Sequence, residues 1–405
     1  MGDRSRKLYH LCLRRQIDRS KTYLQKREKI ILNLLPDTHS LYSWEIAVNS
    51  KPELVCFLHL HNHCRKFKRE RERVTCHFFK KLRIMYDNII SLKNLHIAWN
   101  EFLPGKKNKP DVAEFALNLG ENICMLHNDL RNKTYRHGSY KHFKISDPKP
   151  RDIHKASVRD RLLHHAIHRV LYPFFDPKFI SDSYSCREGK GVHKALDRFR
   201  DFGRSASFNH TKTVYVLKCD IRKFFASIDH SILIKILEKH IADTDILRLL
   251  ENVTHSFHTS EGKGLPLGNL TSQLLVNIYM NEFDQFVKHK LKVKYYIRYA
   301  DDFVIFSQDK RYLSERLRKM GDFLSNDLYL SLHPDKVYIR TLASSVDFLG
   351  WVHFPTHRVL RTVTKRRMFM RVNEKNVSSY LGLCKHGNTY KIGARVRRLI
   401  EDVIQ

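Results

Sequence analysis

No apolar run in this 405-residue chain is long enough to span a bilayer, so a membrane-embedded protein is not expected. The N-terminal MGDRSRKLYHLCLRRQ is basic but has no uninterrupted apolar core, which argues against a secretory signal. Gly2 is followed by Ser5 rather than by Ser or Thr at the sixth position, so the myristoylation pattern is not met. Cysteine is sparse: eight residues, at 12, 56, 64, 76, 124, 186, 219 and 384, are scattered singly. That distribution suits free thiols in a reducing cytoplasm better than a disulfide framework. No internal repeat and no low-complexity tract is present. The most telling shortage is of acid, with 42 Asp and Glu against 74 Lys and Arg and a formal charge of +32. Such an excess favours a long polyanion as partner, nucleic acid first and a membrane surface second. A hydrophobic content of 42% is ordinary for a globular protein, and the length allows two or three domains.

What is present centres on residues 293–307, VKYYIRYADDFVIFS. Two runs of aromatic and β-branched residues meet at Ala300-Asp301-Asp302, which reads as a β-hairpin with two carboxylates at its turn. Adjacent carboxylates repel, and a site of this kind suits Mg²⁺, which takes one or two protein carboxylates plus substrate phosphates. A solvated Asp-Asp turn would look the same in isolation, so the upstream sequence has to decide.

Residues 1–80 read as a basic, helical extension, with Pro36-Asp37 ending one apolar stripe. Residues 61–83, HNHCRKFKRERERVTCHFFKKLR, interleave cations with aromatics, as a nucleic-acid-gripping helix or a solvated basic face would. His59, His61, His63, Cys64, Cys76 and His77 could be drawn as a zinc site, although the spacing fits no standard finger. Two amphipathic helices are expected over 85–99 and 112–132, and a strand pair over 135–153. A helix follows over 158–175, then a Gly-bearing loop into a helix (182–199) whose Arg187, Lys190 and Lys194 could meet phosphates or simply decorate a surface. Residues 213–220, TVYVLKCD, form a strand that ends on an acid, and a helix capped by Asp229 or Ser231 comes next. The loop 262–268 leads to a helix reaching about residue 291, with Asn269 or Thr271 as its cap. Beyond the hairpin lie a helix over 310–328, strands near 336–340 and 346–353, and a basic helical tail from 362.

Two strands therefore end in acid, and side by side they would bring Asp220, Asp301 and Asp302 together. Three converging carboxylates can hold two divalent ions about 3.5–4 Å apart, which activate a hydroxyl and neutralise a leaving phosphate. The order of motifs resembles a reverse transcriptase palm: LKCDIRKFFASI, GLPLGNLTSQLLVNIYMN, YADD, LHPDKVYI and FLGW. The likeness runs from about residue 85 to 405. Within the family it is strongest to bacterial retroelement enzymes, above all diversity-generating ones, through LGNLTSQ, SYSCREGKGVHKALDR and SYLGLCKHGNTYKI.

The resemblance implies an α+β right hand with a small antiparallel palm sheet. The extension would occupy 1–80, the fingers 81–213, the palm 214–358 and the thumb 359–405. It implies RNA-templated DNA synthesis with two Mg²⁺ ions (Mn²⁺ as a substitute), dNTPs, a structured RNA template and a DNA or RNA primer. Asp220 and Asp301 would be the metal ligands, assisted by the Ile221 carbonyl, with Asp302 as third carboxylate and Lys336 as general acid near the pyrophosphate. Phe225 would be the steric gate against a 2′-hydroxyl, and Lys149 and Arg151 would meet the triphosphate. Leu267, Gly268 and Gln273 would flank the incoming nucleotide, and Leu349, Gly350 and Trp351 would form the primer grip. Most of the family has Gln-Gly followed by Ser-Pro where this chain has Leu267-Gly268 and Ser272-Gln273. Leu267 can pack but cannot donate a hydrogen bond, which implies loosened base selection. The motifs point to diversity generation, whereas the extension resembles defence-associated (anti-phage) reverse transcriptases. The rival reading from another class is a non-catalytic, maturase-like RNA-binding protein. An accessory protein or an oligomer is left open, and the expected location is cytoplasmic.

Overall fold

The computed structural model describes residues 86–146 and 150–404. The extension over 1–80, its His/Cys cluster and Lys149 lie outside the described residues. After a helical stretch over 86–90 come α1 (Leu92–Phe102), α2 (Pro110–Leu117) and α3 (Leu119–Arg131). Ser91 caps α1 by accepting from the Asn94 N–H, and Leu95, Ala98, Trp99 and Phe102 make its buried stripe. The single helix expected over 112–132 is two, because Asn118 leaves helical geometry at φ −116° and ψ 41°. A ribbon follows, β1 (Lys141–Ile145) and β2 (Arg151–Lys155), paired antiparallel with Ile145 opposite Arg151. Helix α4 (Val158–Phe175) begins at its Ser157 cap and packs on α1, where Asn94 Nδ2 donates to the Ala166 carbonyl at 3.1 Å. Helix α5 is Val192–Ala206.

The central sheet begins with β3 (Tyr215–Asp220). The one-turn α6 (Phe224–Ser227), α7 (His230–Glu238), α8 (Thr244–His255) and α9 (Leu270–Gln285) follow. Asp229 caps α7, accepting from the Ile232 N–H at 3.1 Å. Helix α9 is buried on nearly every side, from Thr271 to Asp284, so the described core is built around it. It ends at Gln285 and widens into one π turn, Phe286–Lys290, in place of the regular helix expected to about 291. Strands β4 (Tyr296–Tyr299) and β5 (Asp302–Ser307), helix α10 (Lys310–Asp327) and β6 (Tyr338–Thr341) complete an antiparallel sheet of order β4-β5-β3-β6.

Residues 346–353, expected as one strand, are a hairpin of β7 (Val346–Phe348) and β8 (Trp351–His353). Leu349 and Gly350 both take left-handed backbone, φ 50° and 87°, which suits a two-residue hairpin turn. Strand β9 (Arg358–Leu360) joins them, and α11 (Thr362–Arg371), α12 (Val377–Cys384) and α13 (Tyr390–Ile404) close the chain. Among the described residues no helix is long and apolar enough to cross a membrane.

The two faces of the central sheet serve different cores. Leu217, Cys219, Tyr296, Phe303 and Ile305 pack with α4 and α9, whereas Val216, Ile297, Val304 and Phe306 pack with Phe348 and Trp351 of the β7–β9 sheet. On the α9 side, Arg298 and Asp284 are fully buried and paired, Nη2 to Oδ2 at 2.6 Å and Nε to Oδ1 at 2.8 Å. Tyr296 donates to Asp284 Oδ1 at 2.7 Å, and Arg298 also reaches Ser183 Oγ and the Ala300 carbonyl, each at 3.1 Å. A charge left alone there has no water to turn to. Asp284→Ala should therefore destabilise the protein by roughly 3–5 kcal/mol, read as a fall in the urea midpoint. The double variant Asp284→Leu/Arg298→Met should recover part of that loss.

Candidate active site

Strand β3 ends on Asp220 and β5 begins on Asp302, and the antiparallel register sets these two residues directly opposite each other. Asp301 stands immediately before, in the turn from β4, where Ala300 takes left-handed backbone at φ 55°. A non-glycine residue pays for that conformation, and the hydrogen bond from Arg298 to the Ala300 carbonyl holds it. The Ile221 N–H donates to the Asp301 carbonyl at 3.1 Å, so the turn is stitched to the chain just past Asp220. All three acids thus converge at one end of the sheet.

Two lysines cover them. The His333 N–H donates to the Asp220 carbonyl at 2.7 Å, docking the 331–336 loop, and Lys336 Nζ donates to Asp220 Oδ1 at 3.0 Å. Lys218 Nζ lies 2.8 Å from Asp302 Oδ1, an oxygen that receives no well-directed hydrogen bond despite its burial. Sequence reasoning missed Lys218. The signal was available, because a strand alternates and residue 218 must share a face with Asp220. Burial raises the Asp301 carboxyl first and the nearby Asp220 charge second. Burial likewise pushes Asp302 up to about 6, against the pull of Lys218. Burial alone would lower the Lys218 ammonium, but Asp302 and then Asp220 outweigh it and the net shift is upward.

Carboxylates that resist ionisation in the absence of a cation fit a site for one. The donors are oxygens only, the set a hard divalent ion prefers. Among the described residues no three of His, Cys, Asp and Glu enclose an ion by themselves. The expected ligands Asp220, Asp301 and Ile221 all lie at this end of the sheet, where any bound ion would need further oxygens from a substrate or water to complete its shell.

Of the expected nucleotide contacts, those within the described residues lie on β2, α6, the 262–268 loop and the start of α9. Phe225 on α6 is half-buried, and its carbonyl accepts from the Leu265 N–H at 2.8 Å, tying α6 to the loop that carries Leu267 and Gly268. Gly268 has φ +111°, and a Cβ there would meet Ile153 Cγ2 of β2 at 3.6 Å. Arg151 stands two residues before Ile153, on the same face of that strand and exposed. Gln273 is half-buried in the first turn of α9, after a buried Asn269 that caps by position but not by side chain. Leu349 and Gly350 form the half-buried β7–β8 turn, on the sheet face that also carries Asp220, Asp302 and Lys218. Trp351 is fully buried beneath Gly387 and Arg358, so its indole anchors that turn from inside the core. Arg187, weighed as a phosphate contact, is spent on Asp176 Oδ1 at 2.6 Å and the Ile180 carbonyl at 2.7 Å, and Lys190 donates to the Ser181 carbonyl.

The family model described as "Reverse transcriptase (RNA-dependent DNA polymerase)" matches residues 144–353. Protein YkfC of Escherichia coli is 26% identical over 254 residues, covering 53% of this chain and 65% of that protein. The group II intron-encoded protein LtrA of Lactococcus lactis is 24% identical over 280 residues, 51% of this chain and 45% of its own length. The chain thus spans less than two thirds of either relative. A solved telomerase from Candida albicans overlaps with a TM-score of 0.42 at 12% identity, over 66% of this chain and 56% of that one, too distant a likeness to support an inference.

The raised Asp302 pKa has a thermodynamic signature. Its proton stabilises the folded state below about pH 4, the unfolded value, and that contribution is lost as pH rises through about 6. Without divalent metal the protein should lose on the order of 2 kcal/mol across that window relative to Asp302→Asn. Paired thermal melts check this, and added Mg²⁺ should restore more stability at pH 7 than at pH 5.

Proposed function

The chain belongs to the reverse transcriptase family, and we propose that it is an RNA-directed DNA polymerase making cDNA from a dedicated, structured RNA. The family's right hand is the α+β architecture described above. The observation that carries the functional reading is the antiparallel register that sets Asp220 opposite Asp302 with Asp301 in the adjoining turn. Two divalent ions bound at Asp220 and Asp301, Mg²⁺ by preference and Mn²⁺ in substitution, would supply the positive charge that makes a primer hydroxyl nucleophilic and neutralises pyrophosphate.

The chain's own residues do the remainder. Asp302, held by Lys218, positions the primer end. Lys336 is nearly half exposed at its side chain, so its ammonium can leave Asp220 and protonate the departing pyrophosphate. Arg151, with Lys149, meets the triphosphate, where a guanidinium fork is strong and directional. Phe225 presents a ring where a ribose 2′-hydroxyl would lie, selecting dNTPs. Leu267 and Gly268 pack against the incoming nucleotide with Gln273 behind them, and Leu267 gives the base no hydrogen bond, so copying is error-prone. The Leu349-Gly350 turn, anchored by Trp351, grips the primer. On this reading residues 81–213 are the fingers, 214–358 the palm and 359–405 the thumb, and the basic helices of the thumb track the duplex backbone.

Two biological roles share this chemistry. The motifs LGNLTSQ, SYSCREGKGVHKALDR and SYLGLCKHGNTYKI support a bacterial diversity-generating system, and the basic stretch over 1–80 supports an anti-phage one. Either would operate in the cytoplasm, with a long-lived RNA partner and room for an accessory protein or a second copy.

The test is to purify the protein with its bound RNA, add Mg²⁺ and dNTPs, and sequence any DNA made, beside an Asp301→Asn/Asp302→Asn blank. Product mapping to one RNA and missing from the blank is expected. Scattered changes at template adenines would favour diversity generation, and a short repetitive or unmutated product would favour defence. In the same assay Leu267→Gln should lower the error frequency several-fold, and an unchanged spectrum would remove Leu267 from base selection. Specific RNA retention with no product from any primer would point instead to the non-catalytic binder.

A further inference from the structure

Three side chains from distant parts of the chain meet in a buried line beside the expected nucleotide contacts: Thr271, His164 and His137. His164, on α4, is 1% exposed. Its Nδ1 lies 3.1 Å from Thr271 Oγ1, and its Nε2 lies 3.1 Å from His137 Nε2. Thr271 stands in the first turn of α9, between the Leu267-Gly268 turn and Gln273. Asn269 gives that helix no side-chain cap, so Thr271 supplies the turn's side-chain tie to α4. His137 stands at the other end of the line, just ahead of the β1–β2 ribbon that carries Arg151.

The root of the ribbon is itself well tied. The His137 N–H donates to Asn252 Oδ1 of α8 at 3.2 Å, and Asn252 Nδ2 donates to the Tyr135 carbonyl at 2.9 Å. Tyr140, the last residue before β1, stacks on the His137 ring with 4.9 Å between centroids. The Gly138 N–H donates to the buried Asp160 Oδ2 at 3.1 Å, and a Cβ on Gly138 would meet that oxygen at 2.9 Å. Asp160 also accepts from the Tyr135 and Ser157 hydroxyls, each at 2.7 Å. His137 is thus a fixed point, and whatever His164 holds is held relative to the ribbon.

The proton positions follow from the acceptors. The Gly138 carbonyl, 2.7 Å from His137 Nδ1, can only accept, so that nitrogen carries a proton and, in a neutral ring, Nε2 accepts. The Ser256 hydroxyl donates to the Val253 carbonyl at 2.7 Å. Tyr140 therefore donates to Ser256 Oγ at 2.9 Å and leaves His137 Nε2 to His164. Burial first and His137 second hold the His164 pKa at about 3, so its ring is neutral. Its Nε2–H donates to His137, and its Nδ1 accepts from the Thr271 hydroxyl. Every bond in the line is filled, in a place where an unfilled one is costly.

The geometry points to His164 as a positioning residue for the incoming nucleotide, an inference that rests on the polymerase function proposed above. Through Thr271 and His137 it fixes the Leu267-Gly268 turn against the ribbon that carries Arg151. His164 touches no substrate. It keeps two sides of the nucleotide site at one spacing, where a displacement of about 1 Å is costly to a reaction. A network that served stability alone would lower the melting temperature when cut and leave the KM of the folded enzyme unchanged.

The experiment measures addition of dTTP to oligo(dT) on poly(rA) by the full chain with Mg²⁺. It separates the KM for dTTP from kcat and reads the melting temperature alongside. Thr271→Val keeps the side-chain shape and removes the hydroxyl, whereas Thr271→Ser keeps the hydroxyl. Thr271→Val should raise the KM about fivefold, the change expected for one lost hydrogen bond, with kcat and primer–template affinity unchanged. Thr271→Ser should keep the wild-type KM. His164→Leu should raise the KM at least as much, and His164→Gln, which retains a donor and an acceptor, should recover part of the loss. The double variant His164→Leu/Thr271→Val should be no worse than His164→Leu alone, because both cut the same bond. An unchanged KM in Thr271→Val, or fully multiplicative effects in the double variant, would overturn the inference. If the His164 variants fail to fold, the Thr271 pair decides the question. A wild-type chain that makes no DNA removes the polymerase function and this inference with it. A wild-type chain that polymerises beside an indifferent Thr271→Val removes this inference alone.

Discussion

Electrostatic repulsion at one end of a small sheet is the constraint on which the rest of this structure depends. Like charges directly opposite in an antiparallel pair destabilise it, yet the register sets Asp220 against Asp302 and places Asp301 in the next turn. Burial makes the conflict worse, lifting both hairpin carboxyls above the ordinary range. The chain answers with Lys218 on the same strand face and Lys336 from a docked loop, each covering a different acid. These two ammoniums offset part of the repulsion among the three acids, and a divalent ion would offset more of it.

Holding acids in an unfavourable place requires stiffness behind them. That stiffness comes from the buried Arg298–Asp284 pair, which reaches from helix α9 through strand β4 to the carbonyl of the left-handed Ala300. One face of the sheet is clamped to α9 in this way, and the other packs on the β7–β9 sheet through Val216, Val304 and Phe306. The Leu349-Gly350 turn is consequently fixed on the face that bears the acids, with Trp351 as its buried foot. Around Phe225, α6 is tied to the neighbouring loop by the Leu265 N–H donating to the Phe225 carbonyl and by Thr259 Oγ1 donating to the Ala226 carbonyl, each at 2.8 Å.

Much of this was legible from residues alone. The strand ending on Asp220, the hairpin turn at Ala300 to Asp302 and the helix from 158 to 175 were all written in period and composition. Their signals are local, and local signals survive into the fold. The break at Asn118 and the turn at Leu349 were not legible, because neither a lone Asn nor a Leu announces non-helical or left-handed backbone. Lys218 was hidden for a different reason: a lysine inside an apolar strand looks like an exception until its cross-strand partner is known. Arg187 misled in the opposite direction, since a cation in a Gly-bearing loop suggests phosphate whereas this one ties down its own loop. The line from Thr271 through His164 to His137 was not legible at all. Its members stand 107 and 27 residues apart, and only the packed fold makes them neighbours.

On the proposed function, Asp220 and Asp301 hold divalent ions at the end of this sheet. Counting Mn²⁺ by electron paramagnetic resonance, with primer, template and a non-hydrolysable dNTP present, tests it most directly. The account predicts two bound ions per wild-type chain at pH 7 and loss of that binding in Asp220→Asn/Asp301→Asn. Equal Mn²⁺ occupancy in the two proteins would contradict it.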